Sequence, residues 1–272
     1  MSRIIGNRYV CRMETFVRAG ADEIWAEDTG GPGPALVLLH SGVADSRLWD
    51  PVWPDLTGKF RVIRYDCRGY GRSPAATEKY TQLGDLLAVL DHFDVARAHL
   101  MGCSMGGGTA AEVALSEPQR VTSLVLLCPG FSGYAWPEEP DLDRDYDALA
   151  AAGDEDGILR LGLREWARAG SEPFVVDLMR SALRAEPSEE RYQQKGKPVF
   201  DRLAELSVPT VIMVGDLDRP ALIACNEEAA RRIPGCQLIT MPRVDHYPPV
   251  REPQKVTETI ISHTKAAARR NG

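Results

Sequence analysis

Polar and apolar positions in this chain follow two rhythms. Short, almost unbroken apolar runs alternate with longer stretches in which apolar residues recur at helical spacing. Ala35-Leu36-Val37-Leu38-Leu39 is the clearest of the short runs, and it reads as a strand buried on both faces of a parallel sheet. Arg61 to Tyr65, Arg97 to Met101, Val121 to Leu127, Thr210 to Val214 and Cys236 to Met241 read the same way. Between and after them the pattern predicts helices over Ser46 to Leu56, Tyr80 to Phe93, Thr109 to Leu115, Ala221 to Arg232 and Gln254 to Ala268. Ahead of them, Cys11 to Arg18 and Glu23 to Glu27 flank Ala19-Gly20-Ala21-Asp22 and predict a β-hairpin.

The order strand, helix, strand, helix predicts an α/β fold with a mostly parallel, doubly wound sheet and an antiparallel hairpin at its N-terminal side. From Pro129 to about Phe200 the strand rhythm stops and three or four helical segments follow. Ser171 is the expected N-cap of one of them, and the acidic stretch Glu138 to Asp147 is expected to be a solvated face or loop. The domain division is therefore a core made of residues 1–130 and 201–272, with 131–200 inserted over the carboxyl edge of the sheet.

Composition narrows the function classes. The chain has 272 residues and a formal net charge of −7, without a basic run, which gives no footprint for nucleic acid or an anionic membrane. No apolar stretch approaches the roughly 20 residues of a membrane helix. Met1 to Val10 contains Arg3 and Arg8 but no apolar signal core, so the expected location is cytoplasmic. The six cysteines are widely spaced, without a C-x-x-C pair, and read as reduced residues rather than metal ligands.

Candidate chemistry centres on Gly102-Cys103-Ser104-Met105-Gly106, which stands between a predicted strand and a predicted helix. This is the G-x-S-x-G nucleophile-elbow pattern in its required context. A serine on such a turn needs neighbours without Cβ atoms, and the following helix presents free N–H groups to developing negative charge. The serine also needs a base, and the base an orienting carboxylate; where a serine sits on this kind of elbow, they follow in the chain order Ser, Asp/Glu, His. Of the five histidines, only His246 falls in a loop just past a late strand. Asp218, three residues after Gly215, is the favoured acid, with Asp216 as its rival; Asp245 adjoins the base too closely in sequence to reach its far ring nitrogen.

These motifs, in this order, resemble the α/β-hydrolase superfamily, within it the small cofactor-free serine hydrolases such as 3-oxoadipate enol-lactonases, esterases and perhydrolase-type haloperoxidases. The resemblance runs from about Val17 to Thr264 and rests on four features: the His40 loop with Trp49 after it, Asp66-x-Arg68-Gly69-x-Gly71-x-Ser73, the elbow, and Gly215-x-x-Asp218 ahead of His246. It implies a Ser104–His246–Asp218 triad, an oxyanion hole from the Met105 and Gly42 N–H groups, a helical cap over 131–200, and no metal or organic cofactor. The implied reaction is hydrolysis of an ester, lactone or related acyl bond in a small, partly apolar substrate. The alternatives are C–C bond hydrolysis or a lyase or cyclase step with the same triad, or a ligand-binding receptor on this fold. Aspartate-nucleophile relatives such as haloalkane dehalogenases and epoxide hydrolases are disfavoured by the serine. Val43, Phe131, Trp136 and Trp166 are the expected pocket residues, and Arg68 is expected to brace a turn. Asp245 stands where glycine often precedes the base, and a carboxylate close to the imidazole would raise its pKa.

Overall fold

The computed structural model describes residues 13–270; Cys11 and the segment carrying Arg3 and Arg8 lie outside them. An eight-stranded sheet forms the middle layer, in the order β1-β2-β4-β3-β5-β6-β7-β8. The hairpin strands β1 (Met13–Ala19) and β2 (Asp22–Asp28) pair antiparallel, and β2 pairs antiparallel with β4 (Arg61–Tyr65). From β4 onward every pairing is parallel: β3 (Ala35–Leu39), β5 (Ala98–Cys103), β6 (Val121–Leu127), β7 (Thr210–Gly215) and β8 (Gln237–Met241). The continuous apolar runs are explained by burial on both faces. Leu36 and Leu38 join one core cluster and Val37 and Leu39 the other, as alternation along a strand requires.

Helices cover both faces. The predicted helix over Ser46 to Leu56 is instead a 3₁₀ turn at Ser46–Trp49 and a short α1 (Trp53–Thr57). Pro51 stands between them, because a proline has no N–H to continue a helical ladder, and Pro54 sits in the first turn of α1, where that N–H is not needed. α2 (Gln82–His92) begins where the Thr81 hydroxyl accepts a bond from the Gly84 N–H, 3.1 Å away. α3 (Met105–Ser116) starts one residue after Ser104.

Between β6 and β7 the described chain forms α4 (Pro140–Ala152), α5 (Glu155–Trp166), α6 (Pro173–Ala182) and α7 (Glu186–Tyr192). The acidic stretch from Glu138 thus enters a helix, α4, that buries none of its residues. Glu172 rather than Ser171 is the N-cap residue of α6, with Pro173 in its first turn, where the missing N–H is not needed. The chain closes with α8 (Pro220–Arg232), the single turn α9 (Pro248–Arg251) and α10 (Pro253–Arg270). No described helix is long and apolar enough to cross a membrane.

Candidate active site

Ser104 occupies a backbone position that few residues adopt, φ 51° and ψ −111°, between the end of β5 and the first residue of α3. The strain is held by three bonds: its N–H donates to the Leu127 carbonyl at 2.8 Å, and its own carbonyl accepts from Gly108 and Gly130. The flanking glycines are required by close approach. A Cβ on Gly102 would collide with the Gly106 carbonyl, and one on Gly106 would stand 2.5 Å from the Leu39 carbonyl oxygen. Gly42 faces the same turn, since a Cβ built on it would lie 3.7 Å from Met105 Sδ. Among the described residues, neither the Met105 nor the Gly42 N–H has a protein acceptor.

His246 follows β8 and is buried, as is Asp218, which follows β7. His246 Nδ1 and Asp218 Oδ2 lie 2.8 Å apart, so Nδ1–H donates to the carboxylate. The other Asp218 oxygen accepts from the Arg219 N–H at 2.8 Å. Asp216 does something else: its Oδ1 accepts from the Arg243 N–H at 2.6 Å and braces the turn after β8. Trp166, the last residue of α5, lies over the His246 ring with centroids 4.5 Å apart, and its carbonyl accepts the His246 N–H.

Asp245, the neighbour of His246 in sequence, is turned away from it. Asp245 Oδ1 accepts from the Tyr247 N–H and Arg251 Nε, and Oδ2 from Arg251 and the Ala169 N–H at 2.9 Å each. Arg251 also donates to the Gly170 carbonyl and to Glu172. The pair therefore ties the connection between α5 and α6 to the loop that holds His246.

His40 has structural surroundings. His40 accepts the Cys67 N–H at Nε2, pairs with the Ser41 carbonyl through Nδ1 and packs on Tyr70. Arg68 is buried between Asp22 and Asp85, and Asp66 accepts from the Ser46 and Arg72 N–H groups, so this motif fixes a turn. Cys103 is buried, with its Sγ 3.7 Å from Cys128 Sγ. Donor atoms of Cys128, Asp218 and His246 fall within 4.8 Å of one another. Burial pushes the Cys128 thiol well up, and a protonated thiol is a poor metal ligand at neutral pH.

Two cavities meet this centre, and Trp166 borders both. The larger, about 650 Å³, is lined by Gly42, Val43 and residues of α4 to α7. The smaller, about 240 Å³, is lined by Ser104, Trp136, Arg219 and Leu222 among others. Of the expected pocket residues, Val43 and Trp166 line the first, and Trp136 lines the second while remaining 44% exposed. Phe131 lines neither. It is 1% exposed and packs toward Phe200, because the chain turns inward at once after Gly130. Arg219, Tyr70, Glu189 and the Asp245–Arg251 pair were not legible as site residues. Sequence position offered a signal for Arg219, directly after Asp218, and for Asp245, directly before His246, but none for their partners.

The strand order and the sharp turn at Ser104 match a hydrolase fold, and the wider comparison agrees. The chain belongs to the alpha/beta hydrolase fold family, whose profile matches residues 34–253. It is 29% identical to a pimeloyl-[acyl-carrier protein] methyl ester esterase of Aeromonas hydrophila, over 86% of this chain and 96% of that one. It is 26% identical to 3-oxoadipate enol-lactonase 1 of Acinetobacter baylyi, over 86% and 89%. Among solved structures, a thermophilic esterase from Thermogutta terrifontis superposes with a TM-score of 0.75 at 27% identity, covering 94% of this chain and 98% of that one. The enol-lactonase from Burkholderia xenovorans shares the fold, with a TM-score of 0.77 at 23% identity over 92% and 100%.

Proposed function

We propose that this protein is a serine hydrolase that cleaves an ester or lactone bond of a small, partly apolar molecule, with Ser104, His246 and Asp218 as its triad. The observation that carries the reading is the buried 2.8 Å bond between His246 Nδ1 and Asp218 Oδ2 beside a serine held at positive φ. Ser104 Oγ attacks the substrate carbonyl carbon while His246 Nε2 takes its proton. Asp218 keeps the imidazole in the tautomer with Nε2 unprotonated and stabilises the imidazolium that forms. Charge gathers on the former carbonyl oxygen, for which the Met105 and Gly42 N–H groups are the oxyanion donors. His246 then protonates the leaving alcohol, the acyl group stays on Ser104, and water activated by the same imidazole releases the acid. The four helices between β6 and β7 act as the cap, and Trp166 shields the imidazole from bulk water. The esterase and lactonase names of the relatives support the choice of bond.

An ester and lactone panel run on wild type and Ser104→Ala tests this. Wild type turns over at least one neutral ester or lactone, and Ser104→Ala loses about four to six powers of ten in kcat. Full activity in Ser104→Ala would overturn the triad.

A further inference from the structure

Charge around the larger cavity is one-sided. Among its described lining residues are Asp143, Asp147, Glu165 and Glu189, and no lysine, arginine or histidine. Glu165 is compensated, since Arg164 and Arg168 reach it within 3.3 Å. Asp143 and Asp147, on α4, are differently placed. Arg144, the basic residue of their helix, pairs with Asp141 and Asp145 rather than with Asp143 or Asp147. Glu189 sits deeper, accepting a 2.9 Å bond from the Tyr70 hydroxyl, itself 3.5 Å from the Gly42 carbonyl. Burial, with the Glu189 charge next, pushes the Tyr70 hydroxyl well up, so it stays a proton donor to that carboxylate. The cation near the centre, Arg219, lines the smaller cavity and is paired with Glu139; it also lies over Trp166 and reaches Glu165 at 3.8 Å, adding to the compensation of that carboxylate.

Resting on the hydrolase reading above, we propose that the substrate half entering the larger cavity is an apolar body that carries a protonated amine and no carboxylate or phosphate. Apolar walls from Leu161, Met179 and Leu183 take the body, and Tyr70, Tyr146 and Trp166 add aromatic surface that favours a cation. An anionic group would meet Glu189 at one end and Asp143 and Asp147 at the rim, and a low-dielectric cleft focuses that repulsion. The cavity adjoins Gly42 and Val43, so the charge is read within reach of the reacting carbonyl.

Two matched ester series test the assignment. In one, the acyl chain ends in methyl, ammonium or carboxylate; in the other, the alcohol does. In the series whose charged half enters this cavity, kcat/KM ranks ammonium above methyl above carboxylate, with about tenfold or more between the charged extremes at low salt. The ratio of ammonium to carboxylate ester shrinks in Glu189→Gln. It shrinks also in Asp143→Asn/Asp147→Asn, whose exposed positions keep folding out of the comparison. Flat rankings in both series, or ammonium preferred in neither, overturn the proposal while turnover of the methyl esters leaves the triad standing. No turnover of any ester by wild type removes the hydrolase reading and this one together.

Discussion

Asp245→Asn is the substitution that best separates a paired acid from a merely adjacent one. Asp245 is fully buried and accepts four hydrogen bonds, two at each oxygen, and the Arg251 side chain is 9% exposed. Asparagine has the same shape but must aim an NH2 group at one of these two pairs of donors. Whichever way it flips, one bond to Arg251 and one to a backbone N–H are lost, and the guanidinium keeps its charge with a weaker partner. A charge-assisted bond contributes about 1.5–3 kcal/mol and a neutral one about 1, so the loss is about 3 kcal/mol. For a chain of this size that lowers Tm by about 6–10 °C. Because the same network ties the Ala169–Gly170 turn to the His246 loop, kcat should also fall about tenfold with KM nearly constant. Urea denaturation and ester kinetics on Asp245→Asn, Arg251→Gln and the double variant make the cycle. Coupling of about 2 kcal/mol in stability is expected, and additivity within about 0.5 kcal/mol would refute the clamp.

Asp218→Asn should lose about 10⁴ in kcat by disfavouring the required tautomer, whereas Asp216→Asn, which only braces Arg243, should lose little; a reversed ranking means the acid has been misassigned. His99 is buried in β5 against the Ser123 hydroxyl, and desolvation lowers its pKa to about 4. The unfolded chain, with histidine near 6.5, then binds the proton first, so stability is full above pH 6.5 and falls as the pH drops toward 4, by about 2–3 kcal/mol. Denaturation midpoints of wild type and His99→Gln between pH 4 and 7 check this, with the slope flattened in the variant. Trp136 borders the smaller cavity and meets Tyr134 edge-on at 4.8 Å, so Trp136→Ala should alter the ranking of ester chain lengths by about 1 kcal/mol in kcat/KM. Its exposure predicts little change in Tm, and a large Tm loss with an unchanged ranking would make it a packing residue.

The core was readable because its signals are local. Leu36 to Leu39 are apolar at every position, and only a strand covered on both sides uses such a run. Gly102-x-Ser104-x-Gly106 carries its own geometry, since the collisions that forbid a Cβ lie within the turn or on the adjoining strand. Asp218 and His246 follow from loop position, 28 residues apart along the chain. What stayed hidden depends on how distant segments meet. Tyr70 and Glu189 are 119 residues apart, and nothing in either segment points to the other. Asp245 bears on its neighbour's imidazole only if its carboxylate comes close, and the turn into α9 brings Arg251 onto that carboxylate instead. Phe131 shows the limit for apolar residues. An aromatic at the mouth of an insertion can line a pocket or fill a core, and here Phe200 decides it. Proline placement explains the boundary differences at Ser46–Thr57 and at Glu172, where the chain's donors rather than its hydrophobicity set the ends.

Covalent capture of the nucleophile is the most direct measurement on this site. A fluorophosphonate probe reacts with an activated serine, and peptide mapping of the adduct identifies the residue. Modification of wild type at Ser104, sharply slowed in His246→Ala and absent in Ser104→Ala, is the expected result. An adduct on Cys103 or on another serine, or unchanged labelling of Ser104→Ala, would contradict it.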